Sequence, residues 1–240
     1  MPRIEWKAEN RRYALCFFPL VGAVIGCLFI LWDKLCTWLG TGSLLFGAGS
    51  VFLTVLVTGG IHLDGFCDTC DARASWGDKT RKLEILSDSH IGAFAAIKLG
   101  VYLVLYTALL SELHGSSAAA VVACGYVLSR ALSGLAAVTF KAAKKEGSLF
   151  SFTSNTHKNG ALFVLSFMAA ASCCAMVSAD MFSGASAAAA ALLAMVYYRY
   201  MAYKEFDGIT GDLAGWFLQV CELLIAAAAV VTYRIMEVIV

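Results

Sequence analysis

The sequence predicts an all-α fold: a polytopic integral membrane bundle of about seven transmembrane helices, in a single domain over residues 1–240. Hydrophobic residues make up 60% of the chain and charged residues only 15%, against roughly 45–50% and 25% in soluble domains. Seven apolar runs are each close to the roughly 20 residues that a helix needs to cross a bilayer. With two prolines and no long polar stretch, the chain has no room for a separate soluble domain.

The apolar runs follow one another with short polar connections. The first run comes after a head with four basic residues, Arg3, Lys7, Arg11 and Arg12. It lacks a small-residue cleavage site and further runs follow, so we expect a retained helix and not a signal peptide. The predicted spans are 13–32, 43–61, 91–111, 117–140, 160–179, 184–203 and 213–233.

The distribution of Lys and Arg predicts the orientation in the cell (inner) membrane. With a cytoplasmic N-terminus, the inner segments hold 14 of the 18 basic residues, and only Lys34 and Arg234 lie outside. This split follows the positive-inside rule. A net charge of +1 gives no field that would gather nucleic acid, so none is expected as a partner. The predicted cytoplasmic segments are 1–12, 62–90, 141–158 and 199–212.

The stretch HLDGFCDTCDARAS, residues 62–75, carries three aspartates directly after an apolar run. At about 100° per residue, Asp64, Asp68 and Asp71 fall within about 60° of one another on a helix, so their carboxylates point one way. The three carboxylates repel one another, so the cluster needs a counter-charge at a membrane surface. Hard oxygen ligands at this spacing suit Mg²⁺, with Mn²⁺ as the alternative.

Three further acidic residues belong to the same predicted face. Glu84 and Asp88 are four residues apart before the third span, and Asp212 starts the last span. The simpler interpretation is a charge-balanced surface, because Arg73, Lys79, Arg81 and Lys82 are near in sequence. We prefer that interpretation for Asp78 and the metal site for the aspartate triplet.

Six motifs occur along the chain: FFPLVGAVIG, TGGIHLDGFCDTCDA, LEILSDSHIGAF, SRALSG, KKEGSLFSF and ITGDLAG. Together they resemble the cobalamin synthase family, also called adenosylcobinamide-GDP ribazoletransferase. They occur in the family's order along nearly the whole chain, and the HLDG, DTCD and TGD elements are specific only in combination. Two positions depart from the family pattern: Ala72 stands where Gly is usual, and Gln219 where Glu is frequent.

The resemblance implies a membrane enzyme that joins adenosylcobinamide-GDP to α-ribazole or its 5′-phosphate, releases GMP and uses magnesium. Its implied partners are these corrinoid and ribazole substrates, the lipid bilayer and other corrinoid-assembly enzymes. Arg130, in SRALSG, is expected to pair with a substrate phosphate or with a carboxylate. Family members commonly have a further apolar segment before a turn like Pro2–Arg3, which implies a late start or a missing first helix here. We expect Asp64, Asp68 and Asp71 to hold metal, Glu84, Asp88 or Asp212 to complete the shell, and one of the six to act as general base.

Three other interpretations were weighed. A zinc site can be drawn from Cys67, Cys70, His62 and His90, but it lacks a second CxxC or the usual histidine spacing. Another membrane phosphotransferase or prenyltransferase would use similar aspartates, although the CDP-alcohol phosphotransferase register fails here. A secondary transporter would favour isolated acids near the bilayer midplane.

Overall fold

The computed structural model describes residues 12–88, 90–144 and 147–239, and in these ranges the chain is helical without a named strand. A short 3-10 helix, Ala14–Phe17, leads into the first long helix. This architecture confirms the predicted all-α class. The α-helices are α1 (Phe18–Leu39), α2 (Ser43–Thr58), α3 (Ile61–Ala74), α4 (Lys79–Ile85), α5 (Ala93–Ser111), α6 (Ala118–Thr139), α7 (Ser148–Thr153), α8 (Lys158–Ala179), α9 (Met181–Phe206) and α10 (Gly211–Ile239).

Among the described residues, six helices are long and apolar enough to cross a membrane: α1 with its 3-10 turn, α5, α6, α8, α9 and α10. Helices α2 and α3 pass the same test only as a pair, and they are bent by 95° at the break between them. Counting this pair as one span gives the seven predicted crossings. The expectation about the start of the chain falls on Pro2 and Arg3, which lie outside the described residues.

Two consecutive glycines make the bend between α2 and α3. Gly59 and Gly60 have φ values of 63° and 79°, in the left-handed region that residues with a Cβ rarely adopt. Helix α2 therefore ends in a glycine cap, and α3 starts in a new direction. The predicted second span ran straight to residue 61. The structure corrects this: α2 ends at Thr58, and after the bend α3 packs against α10 and α5.

Helix α6 forms the centre of the bundle and packs against α1, α8, α9 and α10. Its contact with α1 is made through small residues. A Cβ on Gly26 would lie 2.5 Å from the carbonyl oxygen of Ala123, and Gly22 approaches the backbone of Tyr126 more closely still. Small residues allow such backbone contact between membrane helices, so α1 is held tightly against α6.

Polar contacts show which connections share an end of the bundle. At one end, Asp33 pairs with His114 at 2.7 Å, and Arg234 with Glu112 at 2.8 Å. At the other end, the Lys144 ammonium donates to the carbonyl oxygen of Leu83 at 3.0 Å, and Lys141 pairs with Asp207 at 2.7 Å. The structure thus brings the segments 61–88, 141–144 and 203–212 together, as the basic-residue count predicted. We call this second end, with those three segments, the acidic end.

Candidate functional site

The aspartate motif forms helix α3, which contacts the start of α10 backbone to backbone. A Cβ on Gly65 would lie 2.7 Å from the carbonyl oxygen of Asp212, and one on Gly215 would lie 3.1 Å from the carbonyl oxygen of His62. Only glycines allow the two helices to come this close. Because Asp64 directly precedes Gly65, the contact brings the motif next to the TGD element.

Helix α3 brings most of the predicted acidic residues together around Asp68. Asp64, Asp212, Asp71 and Asp88 all lie close enough to repel its carboxylate. Within 12–88, 90–144 and 147–239, no hydrogen bond or ion pair reaches the side chains of Asp64 or Asp68. Two acidic side chains that are repelled and unpaired have the electrostatics of a cation site.

Asp71 has a different environment from the other two members of the triplet. Its carboxylate accepts hydrogen bonds from the backbone N–H groups of Gly92 at 2.5 Å and Ala95 at 2.9 Å. Those groups begin α5, so Asp71 satisfies free donors at a helix N-terminus although it lies on another helix. The role of Asp71 as a metal ligand stays a prediction. The structure adds a second role, which is to cap the N-terminus of α5.

Glu84 and Asp88 lie on the exposed side of the site. Glu84 accepts from Arg81 at 2.9 Å on the surface of α4. Asp88 accepts from the ring of His90 at 2.7 Å, and this hydrogen bond holds the pKa of the Asp88 carboxyl below its usual range. Both carboxylates therefore already have partners, and their predicted place in a metal shell stays a prediction.

The acidic side chains do not form a closed protein cage for metal. Among the described residues, no group of three or more His, Cys, Asp or Glu is arranged to hold an ion by itself. Magnesium does not require such a cage, since it is usually bound by one or two carboxylates together with substrate phosphates and water. Asp64 and Asp68 supply the donor chemistry for that mode.

A cavity of about 420 Å³ opens beside Asp64 and Asp212. Asp64 and Asp212 line it together with mostly apolar side chains from α1, α6 and α10, among them Phe18, Ala137 and Leu218. A reacting polar group placed at the two acids would thus have an apolar surface next to it. Such convergence of a few polar groups on an apolar concavity is typical of a small-molecule site.

A second, smaller cavity adds a cation that the sequence analysis did not single out for the site. Lys144, Thr210 and Asp212 line this space of about 160 Å³. Lys144 also donates to the hydroxyl of Ser87 at 2.8 Å. Its place beside the TGD element could not be read from the sequence, because the basic cluster Lys141, Lys144 and Lys145 is typical of attraction to anionic lipid.

Arg130 of α6 is fully buried and forms an ion pair with Glu222 of α10. Its side chain also donates to the hydroxyl of Ser129 at 2.9 Å, while its Nε and Nη2 atoms have no partner among the described residues. The predicted contact between Arg130 and a substrate phosphate stays a prediction. The expected pairing of Arg130 with a carboxylate is confirmed, but the sequence analysis did not identify Glu222 as the partner, although both residues are ionisable groups inside spans.

Comparison with known proteins decides the family. The family model described as cobalamin-5-phosphate synthase matches residues 1–230, nearly the whole chain. The chain belongs to this family. The membership confirms the resemblance found in the motifs.

Three curated relatives share one name. A protein of Lachnoclostridium phytofermentans is 42% identical over 231 residues, which cover 96% of this chain and 88% of the relative. One from Clostridium botulinum strain Alaska E43 is 30% identical over 226 residues, covering 93% and 89%, and one from Acinetobacter baumannii ATCC 17978 is 29% identical over 227 residues, covering 94% and 89%. Each is named adenosylcobinamide-GDP ribazoletransferase. No solved structure matches the chain.

The family and the structure together leave no support for the zinc and transporter interpretations. Cys67 and Cys70 are buried on α3, whereas the ring of His90 is 90% exposed, so these side chains do not surround a common point. The acids of a transporter would be isolated at the midplane, whereas four carboxylates act on Asp68 at the acidic end. The clustered carboxylates match the transferase chemistry of the family instead.

Proposed function

We propose that this protein is an adenosylcobinamide-GDP ribazoletransferase of the cell membrane. In this reaction a ribose hydroxyl of α-ribazole, or of its 5′-phosphate, attacks the phosphorus nearer the cobinamide. The bond from that phosphorus to the bridging oxygen breaks, and GMP leaves with the oxygen. The observation that carries the proposal is the contact of α3 with α10, which sets Asp64 and Asp68 against Asp212 beside an apolar cavity.

Asp64 and Asp68 are the proposed metal-holding residues, with Asp212 adjacent to them. The carboxylate oxygens of Asp64 and Asp68 have no partner in the described chain. Oxygen donors of this kind suit Mg²⁺ and also Mn²⁺. When bound there, the ion would neutralise the charge of the diphosphate. The protein would contribute mainly positioning, because phosphoryl transfer depends on alignment and charge compensation more than on covalent chemistry.

The remaining roles follow from what each side chain can reach. The carboxylate of Asp64, Asp68 or Asp212 would accept the proton of the attacking hydroxyl. Lys144, beside Asp212, would approach phosphate oxygens from the opposite side as a point charge. The apolar wall of the larger cavity would limit the access of water to the diphosphate and so reduce hydrolysis.

We further propose that the acidic end faces the cytoplasm. The support is the concentration of Lys and Arg in its segments, combined with the grouping of these segments at one end of the bundle. Cytoplasmic loops carry such an excess of basic residues. The nucleotide-bearing substrates would then reach the site from the aqueous compartment.

The experiment that tests the function is a product assay on detergent-purified protein. Adenosylcobinamide-GDP and α-ribazole are supplied with Mg²⁺, and GMP and the joined corrinoid are quantified by chromatography. We expect both products in equal amounts, with loss of both after chelation and recovery on adding Mn²⁺. GMP formed without joined corrinoid would indicate a hydrolase, and neither product from folded protein would refute the proposal.

A further inference from the structure

A groove runs along the outer surface of α9 toward the acidic end, away from the carboxylate site. It has a volume of about 780 Å³. The lining residues that matter here are Leu192, Val196, Arg199, Tyr203 and Lys204 of α9 and Phe140 at the end of α6. Leu192 and Val196 are 50% and 68% exposed, so the groove offers an uncovered apolar floor. We call it the α9 groove.

The α9 groove carries two cations at the end nearer the acidic end. The guanidinium carbon of Arg199 lies 5.4 Å from the ring centre of Phe140 and 5.5 Å from that of Tyr203. The Lys204 ammonium donates to the hydroxyl of Tyr200 at 3.0 Å. In the part of the chain that the structure describes, neither cation has a carboxylate partner. The aromatic rings hold both charges in place without neutralising them.

The acids near the groove already form ion pairs with other basic residues, and Glu205 attracts Lys204 through space without forming an ion pair with it. Glu205 pairs with Arg73 at 3.2 Å and with Lys82 at 2.9 Å. Asp207 pairs with Lys141 at 2.7 Å. The groove therefore presents two positive charges beside an apolar surface that faces the membrane.

The depth of the groove fits one kind of occupant. At about 1.5 Å per residue, Arg199 lies roughly 10 Å from the end of α9 at Phe206, and Leu192 lies deeper still. A ligand in the groove would thus meet apolar side chains at its inner end and two cations close to the interface. Anionic phospholipids have this polarity, and they are abundant in the cytoplasmic leaflet. Long basic side chains also extend toward such headgroups.

We propose that the α9 groove is a specific site for an anionic phospholipid. One acyl chain lies along Leu192 and Val196, and the headgroup phosphate contacts Arg199 and Lys204. The site is separate from the transferase reaction and does not depend on it. Its occupancy would stabilise the acidic end of α9, where Glu205 and Asp207 connect this helix to α3, α4 and the loop before α7.

The test is native mass spectrometry of the full chain in detergent, titrated separately with phosphatidylglycerol and phosphatidylcholine. We expect the first phosphatidylglycerol to bind more tightly than the first phosphatidylcholine. The double variant Arg199→Gln/Lys204→Gln should weaken phosphatidylglycerol binding roughly 30-fold, given the usual contribution of each basic residue to anionic lipid binding. Phosphatidylcholine binding should change little.

A matched control removes one Arg and one Lys at the same end of the bundle but outside the groove. Arg12→Gln/Lys158→Gln should keep the affinity for phosphatidylglycerol within about twofold, since both residues lie away from α9. Val196→Trp keeps the charges and fills the apolar floor, so it should weaken both lipids. The single variant Arg199→Lys keeps the positive charge and should retain most of the preference for phosphatidylglycerol over phosphatidylcholine. It provides a second measurement if the double variant fails to fold.

Four outcomes would overturn the proposal. Equal affinity of the wild type for the two lipids would show that the charges do not select a headgroup. Equal weakening in the two double variants would indicate a general charge effect. Displacement of phosphatidylglycerol by an equal concentration of inorganic phosphate would mean a free-anion site. Displacement by adenosylcobinamide-GDP would mean that the groove holds substrate instead of lipid.

Discussion

Replacing Gly65 by Ala tests whether the contact of α3 with α10 sets the position of the carboxylates. The new Cβ would lie 2.7 Å from the carbonyl oxygen of Asp212 and 2.9 Å from its Cα. Both are backbone atoms and cannot rotate away. The two helices must therefore separate by roughly 1 Å before ordinary carbon contacts of about 3.5–4 Å are restored.

The magnitudes follow from this geometry. Overpacking of this kind costs about 1–3 kcal/mol, whereas Ala gains about 1 kcal/mol over Gly within a helix. We expect a net loss of roughly 0–2 kcal/mol in the free energy of unfolding, small enough to leave the fold intact. Displacing a catalytic group by 1 Å can cost about 100-fold in rate, so Gly65→Ala should lose far more activity than stability.

The assay measures GMP release at saturating substrate and thermal unfolding in the same detergent. The control is Gly100→Ala in α5, the same change at a helical glycine whose added Cβ would meet nothing within 4 Å. It should keep the wild-type rate. If Gly65→Ala also keeps its rate within about threefold of this control, the helix contact does not position the site and the reasoning is wrong.

Three further predictions concern buried and capping contacts. Asp71→Ala should lower the free energy of unfolding by about 1–2 kcal/mol, with Asp71→Asn recovering part of it; equal stability of the two would argue against the cap on α5. Arg130→Met or Glu222→Leu alone should each cost about 3–5 kcal/mol, whereas the double variant should recover most of the loss; additive losses in denaturant unfolding would contradict a buried pair. Tyr102→Phe, which removes a 2.6 Å hydrogen bond to Gln219, should cost roughly 1 kcal/mol; an unchanged unfolding midpoint would show that this bond is not needed.

The membrane helices could be predicted because apolar length is a local property of the sequence. The predicted spans at 91–111 and 117–140 closely match α5, Ala93–Ser111, and α6, Ala118–Thr139. The meeting of the acidic segments at one end was also predictable, since alternating spans place every second connection on the same side. Both inferences depend only on counting along the chain.

Pairings between helices could not be predicted in the same way. The Gly59–Gly60 pair signals a break, but its 95° angle depends on what α3 packs against. Likewise, Arg130 faces Glu222 because of how α6 and α10 are rotated about their axes, and the sequence alone does not fix that rotation. Asp71 caps α5 through a tertiary contact across 21 positions, although its spacing alone gave it the same role as Asp64 and Asp68.

The most direct test of the central claim is product formation by Asp64→Asn and Asp68→Asn. Each removes one negative charge and keeps the side-chain shape. Asp78→Asn removes the same charge at the same end, and Asn can keep the cap that Asp78 provides to Arg81 of α4. We predict that Asp64→Asn and Asp68→Asn fold but lose joined corrinoid at least 100-fold, while Asp78→Asn retains it. Full activity in either folded site variant would contradict the assignment of these carboxylates to the reacting diphosphate.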